Sequence, residues 1–211
     1  MIPVVGFATV SRFDLADRLL ASIDYPVEHL VIVDNSGKAS WNPVKPDFVA
    51  NLWVIRVPYG LGLVGAWNLI VKSTPYAPYW VLINDDAWFA PGSLAKIEAE
   101  VDTDALNFVQ IEPKWSCPVF GEGMVARAGL YDERLYPLYF DDNDLERRVV
   151  AAGVPIKHID AVVHHDNSSS IDWLHNNRTY DANQRFYAKK LVDGDNSWSW
   201  DLGIRRTNRW D

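Results

Sequence analysis

Along the first hundred residues, short and almost continuous apolar runs take turns with segments of helical period, the pattern of parallel strands covered by helices. Val4-Val5-Gly6-Phe7-Ala8-Thr9 is the first run. Leu15, Leu19 and Ile23 then recur every fourth residue, which puts one apolar stripe on a helix starting near Asp14. His29-Leu30-Val31-Ile32-Val33-Asp34 predicts a second strand and Leu52-Trp53-Val54-Ile55-Arg56-Val57 a third, separated by a loop rich in Pro, Asn and Ser. Gly60, Gly62 and Gly65 lead into a helix that holds Asn68, and Tyr79-Trp80-Val81-Leu82-Ile83 predicts a fourth strand ending in Asn84-Asp85-Asp86. Ligands of open α/β sheets bind at the carboxyl ends of strands, so Thr9, Asp34 and Asp86 are expected to converge.

The second half has a different rhythm. Residues 106–111 and 119–127 read as strands, but their linkers carry Pro, Trp and Tyr in place of regular helices. One helix is expected over 142–152, stopped by Gly153, and another through Tyr180, Gln184, Tyr187 and Leu191. A single domain over 1–195 follows, with a nucleotide-binding half to about residue 100, an acceptor-side half after it, and a Trp-rich tail over 196–211.

Composition narrows the class. The 211 residues are 48% hydrophobic, enough for one sizeable core, and no run of about 18 apolar residues occurs. A soluble, unprocessed chain without a transmembrane segment is the expectation. The lone Cys117 rules out an internal disulfide framework and points to a cytoplasmic location, with the thiol packed or idle. A net charge of −8 disfavours nonspecific attraction to nucleic acid and suits a carboxylate pocket that takes up cations.

Three short segments carry candidate chemistry. Asn84-Asp85-Asp86 stands where an apolar strand gives way to a loop; carboxylates there can hold Mg²⁺ or Mn²⁺ and leave positions for phosphate oxygens, or can serve as a turn cluster. Asp141-Asp142-Asn143-Asp144 opens a helix, where negative charge complements the dipole and where an Asp in a cleft can act as general base. Ala161-Val162-Val163-His164-His165-Asp166 delivers histidines to a strand end, and imidazole beside the Asp86 carboxylate suits Mn²⁺.

In this order the segments resemble family 2 glycosyltransferases from Pro3 to about Lys190. Ala8-Thr9-Val10-Ser11-Arg12 is similar to the family's Pro-Thr-Tyr-Asn-Arg opening, Val33-Asp34-Asn35-Ser36 to its Val-Asp-Asn-Ser signature, and Gly62-Leu63-Val64-Gly65-Ala66-Trp67-Asn68 to its Gly-Phe-Ala-Gly-Ala-x-Asn stretch. Gly60 departs from the usual Asn. Asn84-Asp85-Asp86 matches the Asp-x-Asp metal motif in its Asn-x-Asp form, Asp141-Asp142 replaces the Glu-Asp pair, and Tyr131-Asp132-Glu133 resembles Phe-Asp-Glu.

The resemblance implies a GT-A fold: a Rossmann-like, mostly parallel α/β sheet flanked by helices, with a smaller sheet region on the acceptor side. It implies nucleotide contacts from Thr9, Arg12, Asp34, Gly65, Asn68 and Asp85, with Asp34 placed to accept an imide N–H of uracil or thymine. Asp86 and His164 would hold a divalent metal, Mn²⁺ or Mg²⁺, with His165 as the substitute one register away, and Asp142 would be the base of an inverting transfer. The partners are a nucleotide-sugar donor, UDP- or dTDP-linked, and a hydroxyl-bearing acceptor: a glycan, a lipid-linked glycan, a protein or a modified nucleobase. Trp115, Tyr136, Tyr139 and Trp173 could wall a sugar site or pack as core. Two rivals stand beside this reading. A nucleotidyltransferase would show a glycine-rich basic loop after the first strand, which Thr9-Val10-Ser11-Arg12-Phe13 does not. A noncatalytic sugar- or nucleotide-binding module would share the fold without turnover.

Overall fold

The computed structural model describes residues 1–37, 41–166 and 173–199, the last span without the side chains of 173–178. An eight-stranded mixed sheet runs through it, in the order β3-β2-β1-β4-β7-β6-β8-β5. β1 (Ile2–Thr9), β2 (Val27–Asp34), β3 (Val49–Arg56) and β4 (Tyr79–Leu82) are mutually parallel. All eight residues of β1 are buried, because it lies between β2 and β4 with helices on both faces. That double burial is why its sequence is an unbroken apolar run instead of an alternating one.

The crossover helices take opposite faces. α1 (Phe13–Ala21) packs Ala16, Leu19 and Leu20 into a core with Val5, Phe7 and Ile32, while α2 (Gly62–Ser73) packs Val64, Trp67 and Ile70 into a second core with Val4, Val31 and Leu82. Successive residues of one strand, such as Val4 and Val5, thus feed different cores. Gly6 is needed on the α2 side: a Cβ there would lie 2.4 Å from Ile70 Cγ2.

Past β4 the chain departs from the regular pattern. β5 (Ala87–Phe89) is a three-residue strand, followed by α3 (Ser93–Glu100) and β6 (Leu106–Gln110). The expected strand over 119–127 is instead β7 (Pro118–Gly121) and α4 (Glu122–Ala128). At Gly121 the Thr103 carbonyl oxygen would lie 2.2 Å from any Cβ, and beyond it Met124 and Ala128, four apart, bury the inner face of a helix. α5 (Asp141–Ala151), β8 (Ile156–His165) and α6 (Trp173–Asp193) complete the chain, β7 and β5 being antiparallel to their neighbours. The start of the expected tail is docked: Glu133 N–H donates to Ser199 O at 2.8 Å, and Gly129, at φ +77°, faces the Trp198 indole where a side chain would collide. Residues 200–211 lie outside the described residues. Among the described residues no helix is long and apolar enough to cross a membrane.

Candidate active site

β1 and β4 are neighbours in space but not in sequence, so their carboxyl ends form the crevice that a parallel sheet offers to ligands. A cavity of about 880 Å³ opens there, lined by Ser11, Asn84, Asp85 and Asp86 from just past the β1 and β4 ends and by Trp115, Tyr139, Asp141 and Asp142 from later in the chain. This is the size range of a small-molecule site.

The polar floor is a pair. His165 Nε2 lies 3.0 Å from Asp86 Oδ1, and both side chains are almost fully buried. His165 Nδ1 faces the Glu112 carbonyl at 3.2 Å, an acceptor only, so Nδ1 carries the hydrogen and a neutral ring turns a lone pair towards the carboxylate. Such a pair needs a cation between its partners, either a proton or a metal. Burial opposes protonation of His165, but the hydrogen bond and the charge of Asp86 outweigh it and leave the imidazole above its usual value. A spacing of about 3.0 Å also separates adjacent corners of an octahedron with bonds near 2.1 Å, so the two groups fit a small divalent ion that keeps open positions. The Nδ1–H bond to a carbonyl is the support a ligating histidine normally has. Among the described residues no group of three His, Cys, Asp or Glu side chains forms a closed metal site.

His164 does not reach this floor. β5 and β8 pair antiparallel with Ala87 opposite His165 and Trp88 opposite His164, and His164 is exposed with its ring 5.2 Å from that of Trp88. The reason is strand phase. Ile159, Ala161 and Val163 are buried and Asp160, Val162 and His164 point out, so His165 continues the inward series.

Asp142 lies on the cavity wall in the first turn of α5, its Oδ1 accepting the Asn143 N–H at 2.8 Å. Burial first, then the charge of Glu146 one turn on, raise its carboxyl above the ordinary range, against backbone hydrogen bonds and Lys114. Asp141 beside it is held well above that range by burial and by the charge of Asp142.

A polar frame holds α5 in place. Tyr139 and Phe140, just before it, have φ of 77° and 65°, left-handed values that cost a non-glycine residue of order 1–3 kcal/mol each. The buried Asn183 amide of α6 donates to the Leu135 and Leu138 carbonyls, both at 2.8 Å, and Tyr180 packs on both strained rings. Beneath, Lys190 Nζ lies 2.7 Å from Asp132 and 2.8 Å from Asp144, while Arg148 Nε pairs with Asp144 at 2.8 Å, all of them buried.

None of the other expected nucleotide contacts lines the cavity. Thr9 and Asp34 are fully buried and adjacent across the β1–β2 ladder, with Ser36 N–H donating to Asp34 Oδ1 at 3.0 Å and Arg56 Nε 3.8 Å from Oδ2. Asn35, the next residue, lines the cavity. Arg12 makes a bidentate pair with Asp14 at 2.9 and 2.7 Å. Gly65 is buried within α2. Asn68 spends its amide on the chain: Nδ2 donates to Tyr131 O and Glu133 Oε1, and Oδ1 accepts from Tyr131 N–H. It is a strut between the halves, not a wall residue. The structure therefore gathers Asp85, Asp86, Asp142 and His165 around one space; sequence reasoning had not singled out Asn35.

No protein-family model matches the chain, and no curated protein matches it in sequence. Solved structures do match in fold. A crystal structure of S. aureus TarS superposes with a TM-score of 0.64 at 13% identity over 92% of this chain and 40% of TarS. GalNAc-T7 with UDP, GalNAc and Mn²⁺ does so with a TM-score of 0.64 at 11% identity over 97% of this chain and 54% of that one. TarS 1–349 in complex with UDP-GlcNAc gives 0.59 at 11% identity over all of this chain and 78% of that one. The chain thus spans about half or less of the length of TarS and of GalNAc-T7. The fold is that of GT-A-like glycosyltransferases: a mixed α/β sheet flanked by helices.

Proposed function

We propose that the protein is a metal-dependent, inverting glycosyltransferase of the family 2 type, moving a sugar from a UDP- or dTDP-linked donor to an acceptor hydroxyl. One observation carries this: the Asp86–His165 pair and the Asp142 carboxyl open on the same cavity at the carboxyl ends of the parallel strands. UDP, UDP-GlcNAc and Mn²⁺ in the matching structures support it.

Asp86 and His165 would hold the divalent ion, which when bound supplies positive charge against the diphosphate. Asn84 and Asp85, on the same turn, line the space where that diphosphate lies. Asp142 takes the proton of the acceptor hydroxyl as its oxygen bonds to the anomeric carbon; the bond from that carbon to the diphosphate oxygen breaks, and the nucleoside diphosphate leaves with the electron pair. A raised carboxyl pKa makes Asp142 a stronger base than an exposed aspartate while leaving it ionised at higher pH. Trp115, Tyr131 and Tyr139 supply aromatic walls of the same cavity.

The test is release of nucleoside diphosphate from a panel of UDP- and dTDP-sugars with Mn²⁺, comparing wild type with Asp142→Asn. The expected fall is about 10²–10⁴-fold with nucleotide binding unchanged. A fully active Asp142→Asn protein contradicts the assignment of the base, and a wild type that binds nucleotide but consumes no donor favours a noncatalytic module.

A further inference from the structure

Trp115 belongs both to the core and to the site. Its half-buried ring lines the cavity, in a short turn between β6 and β7. Two sets of contacts locate it between the two chemical groups of the site. On one side its neighbour Ser116 accepts the Asn84 N–H through its carbonyl at 2.9 Å and has its hydroxyl 3.5 Å from His165 Nδ1, tying the turn to the Asp86–His165 floor. On the other side the indole Nε1–H donates to Glu146 Oε2 at 3.2 Å, and Glu146 lies one turn after Asp142 on α5.

The ring is also immobilised. Lys114 Nζ takes the other Glu146 oxygen at 2.9 Å, and Phe108 and Tyr131 meet the indole nearly edge-on at 5.0 and 6.2 Å. The Nε1–H bond satisfies the donor of a half-buried indole, and with the two edge-on rings it also holds the indole at a fixed angle in the cavity wall.

Given a diphosphate at the Asp86–His165 end and the acceptor hydroxyl at Asp142, the transferred sugar must lie between them. We propose that Trp115 is the platform on which the pyranose ring of the nucleotide-sugar donor rests, its C–H face against the indole, and that Glu146 is the positioning residue that holds the platform in line with Asp142. This rests on the glycosyltransferase reading above. The negative face of the indole suits the weakly positive C–H groups of a sugar, and a nucleotide without its transferred sugar has no such face at this place between the Asp86–His165 end and Asp142.

Calorimetric titration of UDP, and separately of UDP-glucose and UDP-GlcNAc, with Mn²⁺ tests the proposal on wild type, Trp115→Ala, Trp115→Phe, Glu146→Gln and Glu146→Leu, with near-ultraviolet circular dichroism checking each fold. Trp115→Ala is expected to leave UDP affinity within about twofold and to weaken the better-bound nucleotide-sugar about tenfold. Trp115→Phe restores most of the loss. Glu146→Gln, whose carbonyl oxygen still accepts the indole N–H, keeps the sugar increment, and Glu146→Leu loses it. Equal loss of UDP and nucleotide-sugar on Trp115→Ala, or no loss of either, overturns the proposal and leaves the glycosyltransferase reading standing. A wild type that binds none of the three ligands overturns both.

Discussion

The two halves of the molecule reach order by different means. From β1 to β4, position follows from repetition: each parallel strand is an apolar run, each crossover helix has one apolar face, and Thr9, Asp34 and Arg56 arrive side by side because the ladder is in register. From β7 to α6, position follows from particular polar contacts. α5 begins after two left-handed residues and is pinned by Asn183, Lys190 and Arg148, whose partners are buried carbonyls and carboxylates. The first half makes a crevice that many ligands could use. The second half holds a carboxyl at one point of its wall, and such placement depends on a few contacts whose loss neighbouring packing cannot absorb.

The largest expected effect therefore comes from Lys190→Met. It removes the cation shared by Asp132 and Asp144 and leaves two buried carboxylates undercompensated, a loss of roughly 3–5 kcal/mol. Hydrogen exchange should show protection falling in α5 and α6 while β1 and β2 keep theirs; uniform loss across the sheet would contradict the division between the halves. A smaller effect of opposite sign is expected at Asp141. Burial and the charge of Asp142 hold its carboxyl well above the usual range, so the folded value exceeds the unfolded one. Its contribution to stability is fully present below the unfolded pKa, about 3.9, and is lost as pH rises through the folded value. Asp141→Asn cannot ionise and escapes that loss. Denaturant unfolding should find it more stable than wild type at pH 7, the gap closing towards pH 4; a variant less stable at pH 7 would show that the ionised carboxyl is supported by contacts that outweigh its burial.

The same contrast explains what could be read in advance. The strands and helices up to residue 86 were legible because their signal is local and repeated, and Asp86 and Asp142 because each stands where an element ends or begins. β5 was not, since three residues carry no period of their own and exist only through pairing with β8. α4 was hidden by Gly121 and Gly123, which interrupt the helical pattern to admit the Thr103 carbonyl and the Asp104 side chain. The inward histidine had a usable signal, the phase of Ile159, Ala161 and Val163, which selects His165 over His164. The frame around α5 had none: Lys190 meets Asp132 across 58 residues of chain, and no spacing rule links them.

The most direct measurement is calorimetric titration of UDP, dTDP, GDP and CDP with Mn²⁺ and again with chelator, on wild type, Asp86→Ala, His165→Ala and His164→Ala. Metal-dependent binding of a pyrimidine diphosphate, lost in Asp86→Ala and His165→Ala and kept in His164→Ala, is the predicted result. Binding that survives chelation and loss of Asp86, or that needs His164 instead of His165, would contradict it.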